Sequence, residues 1–123
     1  MELELSILLV DDEDIVRQTM GGFLRECGHQ VDEAEDGGKA LQALEERNYD
    51  AALVDIRMPG IDGFTLLTRI QEMYPDLVVV VVTGHGDADM EAEALRRGAV
   101  AFLVKPTSLL KLDRLLQEAV GSR

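Results

Sequence analysis

Two patterns of apolar residues alternate along the chain. One is a short, nearly continuous apolar run, which is typical of a strand buried on both faces of a parallel sheet. The clearest runs are Ser6–Val10, Ala51–Val54 and residues 77–82, and two weaker runs are Gln30–Ala34 and Ala101–Val104. These runs predict five buried strands.

The segments between the runs carry apolar residues three and four positions apart, which is the spacing of one face of a helix. In chain order these residues are Ile15, Val16, Thr19, Met20, Phe23 and Leu24; Ala40, Leu41 and Leu44; Phe64, Leu67 and Ile70; Ala88, Ala92 and Leu95; and Leu109, Leu112, Leu116 and Val120. Capping acids at Asp36 and Asp62 and stop glycines at Gly28 and Gly98 agree with helices there. Strict alternation of strand and helix predicts an open, doubly wound α/β sandwich.

Length, charge and cysteine content narrow the possible functions. The chain has 123 residues, enough for one domain over 1–123, and a net charge of −12, which disfavours direct binding of nucleic acid or anionic lipid. Cys27 is the only cysteine, so an internal disulfide and a thiolate metal cage are excluded, and we expect a buried, inert thiol. The start of the chain is acidic and no long apolar stretch follows it, which predicts a cytoplasmic protein without a signal peptide or membrane span.

Polar residues follow four of the predicted strands. Asp11 and Asp12 follow the first strand, Asp55 the third, Thr83 the fourth and Lys105 the fifth. Taken singly, an acid in such a position is most often a helix cap. In a parallel sheet, however, all five residues meet at one edge, where adjacent carboxylates repel unless a cation intervenes. A hard divalent ion, Mg²⁺ above all, is the expected cofactor.

The residues at these strand ends resemble the receiver domain of bacterial two-component response regulators. The resemblance covers essentially the whole chain and rests on four motifs. They are Leu9-Val10-Asp11-Asp12-Glu13, Val54-Asp55-Ile56-Arg57-Met58-Pro59-Gly60-Ile61-Asp62-Gly63, Val82-Thr83-Gly84-His85-Gly86 and Phe102-Leu103-Val104-Lys105-Pro106. The resemblance implies a flavodoxin-like fold, with a five-stranded parallel sheet in the order 2-1-3-4-5 and five helices.

The resemblance also implies a phosphorylation-controlled switch rather than an enzyme. Asp55 would accept a phosphoryl group from the phosphohistidine of a sensor histidine kinase, in a reaction that depends on Mg²⁺. Asp12 would bind the metal directly, Asp11 directly or through water, and Asp55 and the backbone carbonyl of Arg57 would complete the protein ligands.

Three further roles follow from the same resemblance. Lys105 would pair with the phosphoryl oxygens, Thr83 would turn its hydroxyl toward them, and Phe102 would turn inward behind it. The Lys105-Pro106 bond is expected to be cis. Met58-Pro59-Gly60 would shape the loop under the site, and Asp62 is expected to cap the third helix rather than bind metal.

Other residues receive simpler interpretations. Gly84-His85-Gly86 lacks the third glycine of a dinucleotide loop, so nucleotide binding is disfavoured. His85 is expected to be a solvated loop residue and His29 to be structural. Leu110 projects away from the apolar stripe of the fifth helix, which indicates a docking or homodimer surface around helix four, strand five and helix five.

Two other classes of function compete with the switch. A phosphohydrolase acting through an aspartyl phosphate usually places its two acids two positions apart, whereas Asp11 and Asp12 are adjacent. A pure interaction module would normally lack one of the key acids or the lysine. An output element, either a C-terminal domain or a separate effector, is expected to receive the signal.

Overall fold

The computed structural model describes residues 2–58 and 60–123, in which five strands alternate with five helices. The elements are β1 (Ser6–Val10), α1 (Asp14–Glu26), β2 (Gln30–Ala34), α2 (Gly37–Glu46), β3 (Ala51–Val54), α3 (Gly63–Met73), β4 (Val78–Thr83), α4 (Ala88–Arg96), β5 (Ala101–Val104) and α5 (Leu109–Gly121). The predicted alternation is confirmed. Pro59, which the sequence assigned to the loop under the site, lies outside the described residues.

The five strands form one parallel sheet in the order β2-β1-β3-β4-β5. This is the predicted doubly wound, flavodoxin-like order. Because all strands run in the same direction, their carboxyl ends share one edge of the sheet, which we call the carboxyl edge. The opposite edge, where the strands begin, is the amino edge.

Apolar side chains cover both faces of the sheet, since successive residues of a strand point to opposite sides. One face packs against α2, α3 and α4. Its buried residues include Leu8, Val10, Ala52, Val54, Val79, Val81, Leu44, Leu66, Leu67, Ile70 and Ala94. The other face packs against α1 and α5. Its buried residues include Ile7, Leu9, Leu53, Val78, Val80, Val82, Met20, Leu24, Leu112, Leu116 and Val120. The continuous apolar strands are thus explained by burial on both sides.

Local signals fix the ends of several helices. The carboxylates of Asp36 and Asp62 accept hydrogen bonds from backbone N–H groups at the starts of α2 and α3, as predicted for capping acids. Gly28 and Gly98 follow α1 and α4 with φ of +95° and +105°, a region that glycine enters without a steric penalty.

The prediction of the fourth strand was wrong by one residue. The strand was placed at residues 77–82, whereas β4 runs from Val78 to Thr83. The N–H of Leu77 bonds to the carbonyl of Tyr74 in the turn after α3, so Leu77 is not free to join the sheet. At the other end, Thr83 pairs with Val104 of β5.

The predicted apolar face of the fourth helix was also wrong. Ala88, Ala92 and Leu95 are all exposed. The side of α4 that faces the fold carries partly buried Met90 and fully buried Ala94, four residues apart. Since the buried stripe of α4 has so few apolar members, its short pattern alone could not reveal which side faces inward.

Two smaller expectations need correction. Ile15, counted in the apolar stripe of α1, is 74% exposed. Cys27 is partly exposed rather than buried, although desolvation and the nearby carboxylate of Asp113 raise the pKa of its thiol, which is unfavourable for a reactive thiolate. Among the described residues, no helix is both long and apolar enough to cross a bilayer.

Candidate functional site

Asp11 and Asp55 lie side by side at the carboxyl edge. Each is the residue that follows its strand, and the hydrogen bond from the N–H of Asp55 to the carbonyl of Val10, 3.0 Å long, extends the pairing of β1 and β3 up to them. Asp11 is 2% and Asp55 5% exposed. Two carboxylates so close and so little hydrated repel each other, so this position requires a compensating cation.

Lys105 supplies one such cation. Its Nζ lies 2.7 Å from Oδ2 of Asp11 and 3.2 Å from Oδ2 of Asp55, and its backbone N–H donates to the carbonyl of Thr83 at 2.7 Å. Burial lowers the pKa of Lys105, but hydrogen bonds and the negative charges of Asp11 and Asp55 outweigh burial and raise the pKa above its usual value. The predicted cis bond between Lys105 and Pro106 is present.

Backbone N–H groups orient the remaining carboxylate oxygens. Oδ1 of Asp11 accepts from the N–H of Glu13, and Oδ1 of Asp55 accepts from the N–H of Arg57, both at 2.9 Å. The side chain of Arg57 is exposed, and no carboxylate of the described residues lies within 4.0 Å of its guanidinium nitrogens. Both buried aspartates are therefore held in fixed orientations, with one oxygen each toward Lys105.

Four carboxylates form a cluster that suits a hard metal ion. One oxygen from each of Asp11, Asp12, Glu13 and Asp55 lies within 4.8 Å of the others. Hard divalent cations prefer such oxygen ligands. The structure therefore brings together the three acids that the sequence selected as metal ligands. It also adds Glu13, which the sequence did not select as a ligand and which, at the start of α1, makes no side-chain cap hydrogen bond.

Thr83 and Phe102 lie on the neighbouring strands β4 and β5. Thr83 is the last residue of β4 and is fully buried, and its hydroxyl oxygen accepts a hydrogen bond from the N–H of His85 at 3.4 Å. Phe102 is partly buried and packs against the core between the sheet and α4. Within residues 2–58 and 60–123, Thr83 makes no hydrogen bond to Asp55.

The other polar residues selected from the sequence lie away from the cluster. Asp62 caps α3 and is not among the clustered acids, as expected, and hydrogen bonds from the N–H and hydroxyl of Thr65 lower the pKa of its carboxyl group. His85 is exposed, as expected for a solvated loop residue. His29 is buried at the amino edge, where both ring nitrogens have partners, which confirms a structural role.

A doubly wound α/β fold with an acidic pocket and one lysine at the carboxyl edge defines the class of protein. A sequence profile described as the response regulator receiver domain matches residues 7–117. The chain belongs to this family. Receiver domains serve two-component signal transduction, so membership implies phosphorylation-dependent switching and confirms the resemblance stated from the motifs.

Individual relatives agree with the family. The chain is 37% identical over 119 residues to a cyclic di-GMP phosphodiesterase of Thermotoga maritima, covering 97% of this chain and 32% of that protein. It is 34% identical over 115 residues to the DNA-binding transcriptional regulator NtrC of Escherichia coli K12, covering 94% of this chain and 24% of that regulator. The chain thus spans a third or less of the length of these relatives.

A solved structure agrees at the level of the fold. The beryllofluoride-activated NtrC4 receiver domain dimer, determined in solution, has a TM-score of 0.89 to this chain and 32% sequence identity, covering 95% of this chain and 97% of that one. The similarity thus covers nearly the whole of both folds.

Proposed function

We propose that Asp55 is the phosphoacceptor of this receiver domain and takes its phosphoryl group from the phosphohistidine of a sensor histidine kinase. The observation that carries the proposal is the placement of Asp55, with Oδ1 held by the N–H of Arg57 and Oδ2 3.2 Å from the ammonium of Lys105. A carboxylate in a fixed orientation beside a fixed positive charge suits attack on a phosphorus atom, because positioning and charge neutralisation dominate phosphoryl transfer.

In the proposed step, a carboxylate oxygen of Asp55 forms a bond to phosphorus as the bond from phosphorus to the donor histidine nitrogen breaks. The electron pair of that bond stays on the imidazole, which then takes a proton from solvent. Lys105 is placed to bind a phosphoryl oxygen once Asp55 is occupied, since its ammonium already lies between the two buried aspartates. The product is an acyl phosphate whose hydrolysis resets the switch.

We further propose Mg²⁺ as the cofactor. Asp11, Asp12 and Asp55, with the backbone carbonyl of Arg57, would hold it, and the clustered carboxylate oxygens support this donor set. When bound, the ion neutralises the carboxylates and the charge on the phosphoryl oxygens. Glu13 belongs to the same cluster and is a further candidate ligand.

Thr83 and Phe102 are proposed to transmit the phosphorylation state to α4, β5 and α5. Thr83 would exchange its long hydrogen bond with His85 for one to the phosphoryl group, and phosphorylation would hold the Phe102 ring in the inward position, against the core, that it occupies here. Ligand-dependent switching of this kind shifts a population that already exists in the free protein. The position of Thr83 at the end of β4, beside β5, supports a direct connection between the two residues.

The test of Asp55 is phosphorylation by a small acyl phosphate in the presence of Mg²⁺. Wild-type protein should gain one phosphoryl group by intact mass, and Asp55→Asn should gain none. Asp14→Asn is the matched control, because Asp14 is an exposed acid of the same segment that lies outside the carboxylate cluster, and this variant should label like wild type. Wild-type protein that never labels, or Asp55→Asn that labels fully, would refute the proposal.

The partners of the whole protein are also proposals. The relatives named above are much longer than this chain, so we propose that an output domain or a separate effector responds to the phosphorylated receiver. A single receiver domain over 1–123, a cytoplasmic location and a signalling role without turnover of an external substrate stay predictions. No observation favours the phosphohydrolase alternative.

A homodimer formed through α4, β5 and α5 is the proposed response of the domain itself. Apolar side chains are exposed there, namely Val100 and Val104, and the similar NtrC4 receiver domain is a dimer when activated by beryllofluoride. Leu110, which the sequence assigned to this surface, lies on the other side of α5 with Asp113 and Gln117, whose partners are His29 and Leu3. Val104→Glu should reduce self-association of the phosphorylated protein, as measured by analytical ultracentrifugation. Met73→Glu, on exposed apolar surface at the end of α3, should not. Equal self-association of wild type and Val104→Glu would exclude this face.

A further inference from the structure

The ring of Phe102 lies directly against Gly86 in the loop between β4 and α4. A Cβ atom placed on Gly86 would be 2.6 Å from Cζ and 2.7 Å from Cε1 of Phe102, and 3.2 Å from the methyl carbon of Thr83. Non-bonded carbon atoms are most stable at about 3.5–4.0 Å, so the two ring contacts are severe overlaps. The ring therefore occupies space that exists only because residue 86 has no side chain.

The backbone does not explain why this residue is glycine. Among the described residues, the glycines with positive φ are Gly28, Gly60 and Gly98, and Gly86 is not one of them. An alanine could adopt the backbone conformation of Gly86. Gly84 stands two residues earlier in the same loop, also outside the positive-φ group, and a Cβ there would meet nothing within 4 Å. The constraint at position 86 comes from the Phe102 ring.

We propose that Gly86 is a positioning residue of the switch, because it makes the room in which Phe102 lies beside Thr83. This inference rests on the proposed function only in assigning Thr83 and Phe102 to the switch. The ring and the Thr83 methyl group approach the same point above Gly86, so a side chain at position 86 competes with the inward ring. Gly86 thus sets the balance between inward and outward positions of Phe102.

When a side chain is added at position 86, the Phe102 ring moves rather than the loop. The loop is held firmly at its α4 end, where the Asp87 carboxylate accepts from the N–H of Met90 at 2.8 Å, and more weakly at its β4 end, where the N–H of His85 donates to the Thr83 hydroxyl at 3.4 Å. Phe102 is only partly buried and is held by packing alone. Rotation about its χ1 bond to another staggered position removes the overlap without breaking a hydrogen bond.

The test compares Gly86→Ala with Gly84→Ala, alone and with Phe102→Ala. In the unphosphorylated protein, ¹H NOEs from the Phe102 ring to residue 86 should be strong in wild type and Gly84→Ala and lost in Gly86→Ala. The affinity for beryllofluoride with Mg²⁺ should fall about tenfold in Gly86→Ala, because part of the binding free energy is spent on restoring the inward ring. In the Phe102→Ala background, adding Gly86→Ala should change that affinity less than twofold.

Each outcome decides the proposal. Retained ring NOEs in Gly86→Ala, or an affinity loss equal in Gly86→Ala and Gly84→Ala, would overturn it. If Gly86→Ala is too unstable to study, recovery of its melting temperature in the double variant with Phe102→Ala supports the steric conflict, and no recovery overturns it. The NOEs are measured without phosphorylation. Failure of Asp55 to label would therefore count against the proposed function, whereas the role of Gly86 would still be tested by the NOEs from the Phe102 ring.

Discussion

The two edges of the sheet use polar side chains in opposite ways. At the amino edge, polar groups complement each other: Nδ1 of His29 accepts from the N–H of Leu5 at 3.0 Å, and the Asp50 carboxylate accepts from the N–H of Ser6 at 2.8 Å. Nε2 of His29 then lies 2.6 Å from Oδ1 of Asp113 on α5. Because Nδ1 is an acceptor, Nε2 carries the ring proton and donates a hydrogen bond to the carboxylate of Asp113.

The carboxyl edge instead collects like charges. Asp11 and Asp55 share the single ammonium of Lys105. Within the part of the chain described here, the carboxylates of Asp12 and Glu13 accept no hydrogen bond. Close carboxylates repel one another, and the repulsion opposes folding. Polar groups at the amino edge thus stabilise the fold through mutual hydrogen bonds, whereas the clustered carboxylates of the carboxyl edge suit the metal site proposed above.

The largest expected effect concerns the amino edge. His29→Ala removes a buried ring and leaves both the N–H of Leu5 and the carboxylate of Asp113 without their partner. We expect a loss of about 3 kcal/mol in the free energy of unfolding, measured with urea. Phosphorylation of Asp55 should be unchanged wherever the variant is folded, because His29 does not contact the carboxylate cluster.

The other histidine provides the control for this variant. His85 is exposed in the loop after β4, so His85→Ala should change the free energy of unfolding by no more than about 0.5 kcal/mol. If His29→Ala lowers the free energy of unfolding no more than His85→Ala does, the hydrogen bonds of His29 do not stabilise the fold.

The sequence could predict the carboxyl edge much better than the amino edge. Asp55 and Lys105 stand at the ends of apolar runs, and parallel pairing brings all strand ends together, so strand pattern and topology suffice to locate them. His29 and Asp113 are 84 positions apart, and no local sequence pattern around either residue predicts that the two are in contact. Their contact depends on how α5 packs beside α1 and the turn that follows it, which only the folded structure reveals.

The same limit explains the error in α4. A helix that packs on one side through Met90 and Ala94 buries too little apolar surface to mark its inner face. The contact between Phe102 and Gly86 could not be predicted for another reason, since a glycine has no side chain to give an apolar or polar signal in the sequence. The periodicity of apolar residues predicts only which faces of long helices and strands are buried. The inner face of α4 and the contact at Gly86 depend instead on how one helix or loop is oriented in the folded protein.

The second prediction concerns the four clustered carboxylates at the carboxyl edge. In wild type, Mg²⁺ at ten times its dissociation constant should add about 1.4 kcal/mol to the free energy of unfolding. Asp12→Asn should lose most of that increment, because it removes an exposed ligand of the cluster. Without metal, the same variant should be as stable as wild type or slightly more stable, since one of four close carboxylates becomes neutral.

Thermal unfolding with and without Mg²⁺ measures both effects. Asp14→Asn serves as the control and should retain the full increment, because Asp14 lies outside the cluster. If Asp12→Asn is destabilised without metal and still gains the full increment from Mg²⁺, the Asp12 carboxylate stabilises the fold and does not bind the metal.

The smallest expected effect tests how the carboxyl edge tolerates its charges in the absence of metal. Burial lowers the pKa of Lys105, but the hydrogen bonds and charges of Asp11 and Asp55 raise it above the usual 10.5. A raised folded-state pKa means that the ammonium stabilises the fold fully below about pH 10.5 and that this contribution is lost as the pH rises through the folded-state pKa. Lys105→Met should therefore be less stable than wild type at pH 8, because the two buried aspartates lose their cation, and the small pH-dependent part of this difference should disappear as the pH rises above 10.5.

Urea unfolding of both proteins from pH 8 to 11.5 measures this difference, and groups that titrate in both proteins cancel. Lys111→Met is the control, because Lys111 is exposed on α5 and no carboxylate of the described residues lies within 4.0 Å of its ammonium. Its difference from wild type should stay constant with pH. A difference for Lys105→Met that also stays constant would mean that packing, rather than charge, holds Lys105 between the two aspartates, and the contrast between the two edges would then lose its electrostatic basis.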